Sequence, residues 1–220
     1  SAMGIRSLSF AVQSPMHPSN LGQASILWIA PQNLTYFINA VAINSLPAAG
    51  GSTVPTVEWM PGTGQSLVLT PSAAITLTLN IYGEDHLGRA VSEQIVFTAS
   101  AAAQFSRMVY KRVFRFEIVS KSASANTLSV GFDPVNGSRI GIPIAPAEAI
   151  PMAAPSVLTG NNYEIVAFIN QNGAVMTIAA DAAGDPAFDR RYSSVKAGGT
   201  WDAGPIFVLA HYKVQGGRIS

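Results

Sequence analysis

The chain has 220 residues, of which 48% are hydrophobic and only 11% charged, with a net charge of +1 and no cysteine. The length sustains one large β domain or two small ones. The charge balance leaves no global electrostatic case for nucleic acid or acidic lipid, and the lack of thiols removes disulfide frameworks and thiolate metal sites. A typical soluble domain is about one quarter charged. The deficit here points to surface hidden in stable subunit contacts, which are depleted in Lys, Glu and Asp. The competing reading is that Ser, Thr, Asn and Gln supply the surface polarity. No apolar run approaches the ~20 residues of a membrane helix, and no basic region precedes an apolar stretch and cleavage site at the start. Ser1-Ala2-Met3 reads as the remnant of a protease site and is set aside from fold reasoning.

Taken in chain order, period-2 alternation dominates and long helical periodicity is nearly missing. Residues 5–12, 25–30 and 34–43 read as strands, followed by Gly- and Pro-rich loops at 46–52 and 61–64. The clearest strand is 75–81. Ile75, Leu77, Leu79 and Ile81 share one face, with Thr76, Thr78 and Asn80 on the other. The polar stretch 83–89 then predicts a hairpin turn into a strand with Val91, Ile95 and Phe97 on one face. Residues 108–120 read as one long strand, with Met108, Tyr110, Phe114, Phe116 and Ile118 on the apolar face and Lys111, Arg115 and Glu117 opposite. Leu128, Val130 and Phe132 follow, so 75–132 is expected to form a four-strand meander. Four prolines within 141–155 predict an extended arm or linker. A second hairpin is expected from 163–170 and 175–179 around Asn172-Gly173, and a last strand over 205–214.

About ten short strands predict an all-β, mostly antiparallel fold, a β-sandwich or jelly-roll-like barrel with an extended Pro-rich segment. The expected division is a main sandwich over 1–140, an arm or linker over 141–160, and a C-terminal β unit over 161–220 that either stands apart or completes the same sandwich.

Few residues suggest chemistry. His17, His86 and His211 are far apart and match no metal-ligand spacing, so solvated or core-edge roles are expected. No nucleophile elbow, phosphate-binding loop or dinucleotide glycine pattern occurs, and no cofactor is implied. Asp181, Asp185 and Asp189 are spaced by four but do not follow the alternating ligand pattern of a calcium loop; a polar surface loop is the plainer reading. Glu84 and Asp85 are adjacent loop carboxylates, and no pair is nominated for glycoside hydrolysis. Arg107, Lys111, Arg112 and Arg115 interleave with Tyr110, Phe114 and Phe116, a mixture that can bind single-stranded nucleic acid. Alternation sends cations and aromatics to opposite faces, which favours a core and a solvated or inter-subunit face instead. Arg112 breaks that alternation and is expected either to mark the sheet edge or to meet Glu93, which breaks its own strand's apolar face. In a buried pair, Arg112→Met alone would cost ~3–5 kcal/mol. Trp28, Trp59 and Trp201 read as core packing, with stacking platforms or interface contacts as the rival roles.

Residues 75–144 carry a further pattern. ITLTLNIYGEDHLGRAVSEQIVF (75–97), FSRMVYKRVFRFEIVS (105–120), TLSVGFD (127–133) and GIPI (141–144) follow one another in an order and spacing that resembles structural proteins of tailed-bacteriophage virions. At the turn, the Gly-Thr-Asp of that pattern is replaced by Ile-Tyr-Gly-Glu-Asp (81–85). The resemblance implies a head-surface, neck or tail component that folds in the host cytoplasm and then resides in the virion, with no catalytic residues. Its expected partners are further copies of itself and other virion proteins such as the major capsid protein. Lys111, Arg115, Pro143, Pro146, Pro151 and Trp201 are the expected interface residues. A carbohydrate- or receptor-binding β-sandwich is the alternative, and a hydrolase on a β scaffold ranks last.

Overall fold

The structure is a computed structural model, which describes residues 10–14, 17–142, 163–180, 184–189 and 191–212. In chain order the strands are β1 (Phe10–Ser14), β2 (His17–Ile29), β3 (Asn33–Ala42), β4 (Ser52–Thr53), β5 (Val68–Pro71), β6 (Ile75–Glu84), β7 (Ala90–Ser100) and β8 (Gln104–Phe105). They continue as β9 (Arg112–Lys121), β10 (Thr127–Phe132), β11 (Arg139–Gly141), β12 (Tyr163–Asn170), β13 (Phe188–Asp189), β14 (Ser194–Lys196) and β15 (Gly204–Tyr212). A single 3-10 turn at Ile43–Ser45 is the only helical element among the described residues. The fold is all-β, antiparallel and sandwich-like.

Two four-stranded sheets, ordered β4-β9-β6-β7 and β3-β10-β5-β8, face each other across the larger core. The alternation in β6 explains the burial: Ile75, Leu77, Leu79 and Ile81 all point inward. They meet Ile95 and Phe97 of β7, Phe116 and Ile118 of β9, and Leu128 and Val130 from the opposite sheet. Burying an aliphatic or Phe side chain of this kind stabilises by roughly 1.5–3 kcal/mol.

The expected meander over 75–132 is not what forms. β7 pairs with β6, but β9 returns to the other edge of β6, and β10 lies in the opposite sheet between β3 and β5. The diversion starts at β8, which pairs with Val68 and Leu69 of β5 and so draws the chain off the β7 edge. Nor is 108–120 one strand of constant phase. β9 begins at Arg112, and between the pairs Tyr82↔Arg115 and Gly83↔Val113 it carries one extra residue, Phe114. This bulge reverses the alternation. Val113 and Phe116 both point inward, whereas Arg112 and Phe114 stay at the surface.

The smaller core is built by the sheet β1-β2-β15-β12 and the sheet β11-β14-β13. It gathers Leu27 and Ile29 of β2 with Ile140, Ile142, Phe168, Val195, Trp201, Ile206 and Val208. β1 and β2, expected inside a 1–140 sandwich, therefore sit in the sheet that carries β12 and β15. β2 and β15 pair continuously from Ile29↔Gly204 to Asn20↔Tyr212, with one register shift at Val208/Leu209. Of the expected 141–160 arm, residues 143–160 lie outside the described residues. The second hairpin is only partly realised. Its turn forms around Gly173 (φ +83°), Ile169 bridges Val175 and Met176 N–H donates to Phe168 O at 2.7 Å, but beyond Met176 the chain leaves β12, and Ala179 N–H donates to Lys196 O at 2.9 Å.

The two units share backbone hydrogen bonds. Gln65 bridges both Tyr110 and Ile140, Ser66 N–H donates to Arg139 O at 2.8 Å, and Gly141 N–H donates to Gly64 O at 2.9 Å.

Candidate interaction surface

β2 sends Leu27 and Ile29 into the smaller core, so alternation turns Ile26 and Trp28 to solvent, and Trp28 is 56% exposed. Trp59, in the loop between β4 and β5, is 50% exposed. Segment 58–63 ties the two tryptophans together. Trp28 N–H donates to Thr63 Oγ1 at 2.8 Å, and Thr63 N–H returns a bond to Trp28 O at 2.7 Å. Gly62 (φ +67°) lies against the Trp28 backbone and indole, where a β-carbon would collide with the Trp28 carbonyl. Trp59 bridges Arg112 across the sheet edge, and Tyr36 OH donates to Trp59 O at 3.0 Å.

Arg112 is the centre of this surface. Its guanidinium lies 5.0 Å from the ring centres of both Trp59 and Phe114, within cation–π range. Nε and Nη2 donate to Glu58 Oε2 at 2.8 and 2.6 Å. The partner expected for it, Glu93, is elsewhere: it accepts the N–H of Arg107 at 2.7 Å and of Met108 at 3.0 Å. The bulge at Phe114 accounts for the change, because it turns Arg112 outward, away from β7. Burial pushes the Glu93 carboxyl above its ordinary range, and the two backbone donors and nearby Arg107 and Arg139 pull against that rise.

The expected interface residues separate. Lys111 bends back, donating to Met60 O at 2.8 Å and to Gly62 O, and desolvation lowers its pKa. It supports the loop that carries Trp59. Arg115 stays at the surface, bound to Glu117 at 2.7 Å and lying 3.9 Å from the centre of the Tyr82 ring. Trp201 lies away from the surface. It is 1% exposed in the smaller core, packs on Phe168, and donates its indole N–H to Thr177 O at 2.8 Å. Pro143, Pro146 and Pro151 lie outside the described residues.

His86 Nε2–H donates to Ile142 O at 2.8 Å, and Gly141 packs against its ring. Of the spaced aspartates, Asp185 is held by Lys196 and Arg139, Asp189 by Arg107 and Arg191, and Asp181 lies outside the described residues. Among the described residues, no three His, Asp or Glu side chains group to hold a metal ion, and no helix is long and apolar enough to cross a membrane. The exposure of Trp59 had a weak signal in the sequence, with Glu58 before it and Pro61-Gly62 just after; Trp28, flanked by Leu27 and Ile29 in an expected strand, had none. The Glu58–Arg112 pair had none.

No protein-family model, curated protein or solved structure matches the chain.

Proposed function

We propose that the chain is a non-enzymatic structural component of a bacteriophage virion, of the capsid-decoration, minor-head or neck kind. It acts by forming oligomers and by docking on other virion proteins such as the major capsid protein. The observation that carries this reading is the surface made by Trp28, Trp59, Phe114 and Arg112. Aromatic residues and arginine are the side chains that protein interfaces concentrate. They stand out here on a chain with only 11% charged residues. The order of motifs over 75–144 supplies the virion part of the reading. Light scattering after size exclusion at several concentrations tests it. A discrete oligomer that Trp28→Ala with Trp59→Ala dissociates supports the proposal; a monomer at every concentration that also fails to bind virion particles overturns it.

A carbohydrate- or receptor-binding module is the second reading. It is favoured by two exposed indoles beside the polar Glu58–Arg112 pair, an arrangement suited to stacking on a sugar face while hydrogen-bonding its hydroxyls. Glycan-array binding that Trp59→Ala abolishes would support this reading over the first.

A further inference from the structure

A cleft of about 330 Å³ opens where the two units meet, lined by Phe105, Ser106, Arg107, Gly137, Arg139, Asp185 and Lys196. Its charge comes from both sides: Arg107 follows β8 in the larger unit, and Arg139 and Lys196 belong to β11 and β14 in the smaller one. The β11–β14 register sets Arg139 directly across from Lys196. Like charges facing each other on neighbouring strands are unfavourable unless an anion lies between them. Asp185 fills part of that role, taking Lys196 Nζ on Oδ2 at 2.6 Å and Arg139 Nη2 on Oδ1. Burial works against the Asp185 charge, and these hydrogen bonds outweigh it, so its carboxyl titrates below the ordinary range.

One carboxylate does not satisfy this set. Arg139 is 2% exposed, and while its Nη2 also donates to Pro186 O, its Nη1 has no hydrogen-bond partner among the described residues. Arg107 Nε is likewise buried without a partner, and Arg107 Nη2 reaches only Asp189, at 3.5 Å, a carboxylate shared with Arg191. A buried guanidinium nitrogen left unpaired is costly. The lining therefore holds three cations against one carboxylate, with donor capacity to spare on two planar guanidinium groups of the kind that bind phosphate.

We propose that this cleft binds a phosphate group, free or as a small monoester, between Arg107, Arg139 and Lys196, and that the bound dianion fastens the two units together. The site is separate from the tryptophan surface and does not rest on the virion reading.

Calorimetric titration of the whole protein with inorganic phosphate, at constant ionic strength set by chloride, tests the proposal. Binding in the millimolar range or tighter is expected. Lys196→Gln and Arg107→Gln, both at positions with exposed side-chain surface, should each weaken it about tenfold while leaving the circular dichroism spectrum unchanged. Asp185→Asn, which removes the competing carboxylate charge, should strengthen it several-fold. Glycerol phosphate should bind like phosphate, and acetate at least tenfold more weakly. No heat of binding up to 50 mM phosphate, equal affinity for acetate, or affinity untouched by both Gln variants would each overturn the proposal.

Discussion

Arg112 places two nitrogens on a single carboxylate oxygen of Glu58, fifty-four residues earlier in the chain, and does so between two aromatic rings at equal distance. Both members of the pair keep about a third or more of their side chains in solvent. An ion pair of this exposure contributes up to ~1 kcal/mol, and the stacking adds roughly 0.5–1 kcal/mol. Arg112→Met should therefore cost about 1–2 kcal/mol in urea unfolding. A loss of 3 kcal/mol or more would mean that the guanidinium is buried in a larger assembly even under the conditions of the melt.

Glu93 holds the turn that leads into β9, with its two oxygens each taking one backbone N–H. Glu93→Ala leaves both donors without that acceptor, at a cost of about 1–3 kcal/mol. Hydrogen exchange should locate the effect, with the Arg107 and Met108 amides exchanging faster than those of β6.

The tryptophans should behave in opposite ways. Trp201→Ala empties a buried site and removes an indole hydrogen bond, costing ~3–5 kcal/mol. Trp59→Ala should stay within about 1 kcal/mol of the parent in the same chemical melt, because half of its surface is already wet. Its effect should appear in association instead.

Gly62→Ala attacks the join between the two tryptophans. The backbone there has φ +67°, and a methyl group would meet the Trp28 carbonyl and indole. The strain alone costs about 1–3 kcal/mol, and relieving it would move Trp28. The expected signature is a changed tryptophan fluorescence spectrum together with a lower midpoint of unfolding.

His86 gives the fold an acid limit. Burial lowers its pKa from the ordinary 6.5, against the pull of its bond to Ile142 and of Asp85. The unfolded chain thus binds this proton more readily than the folded one, so stability is complete above about pH 6.5 and declines as pH falls beneath it. The raised pKa of Glu93 acts oppositely, since its stabilising protonation is lost as pH rises above 4.5. His86→Gln should flatten the decline between pH 7 and 5. An unchanged slope would assign it to other groups.

Where a residue's environment is decided by its own strand, the sequence is readable. The inward faces of β6 and β7 follow from alternation, and Asn172-Gly173 marks its turn. Arg112 shows where that ends. Its phase depends on a bulge created by pairing between β9 and β6, which no residue within 108–120 announces. The same holds for the tryptophans. Trp28 and Trp201 look alike as isolated strand-associated aromatics, and only the assembly of β2, β12 and β15 buries one and leaves the other wet. The pairing of β2 with β15 is illegible for the same reason, because nothing local in residues 10–29 names a partner beyond residue 200.

That last pairing has a consequence for the order of events during synthesis. β2 leaves the ribosome long before β15, the strand it pairs with, has been made. The larger core, drawn from residues 30–132, can close while translation continues. The smaller one must wait, with Leu27 and Ile29 uncovered until Ile206 and Val208 arrive. Contacts of such long sequence separation form slowly. A nascent chain stalled once residue 142 has cleared the ribosome, but before β15 is made, should therefore carry a protease-resistant 30–132 and a β2 still open to cleavage, and to capture by chaperones.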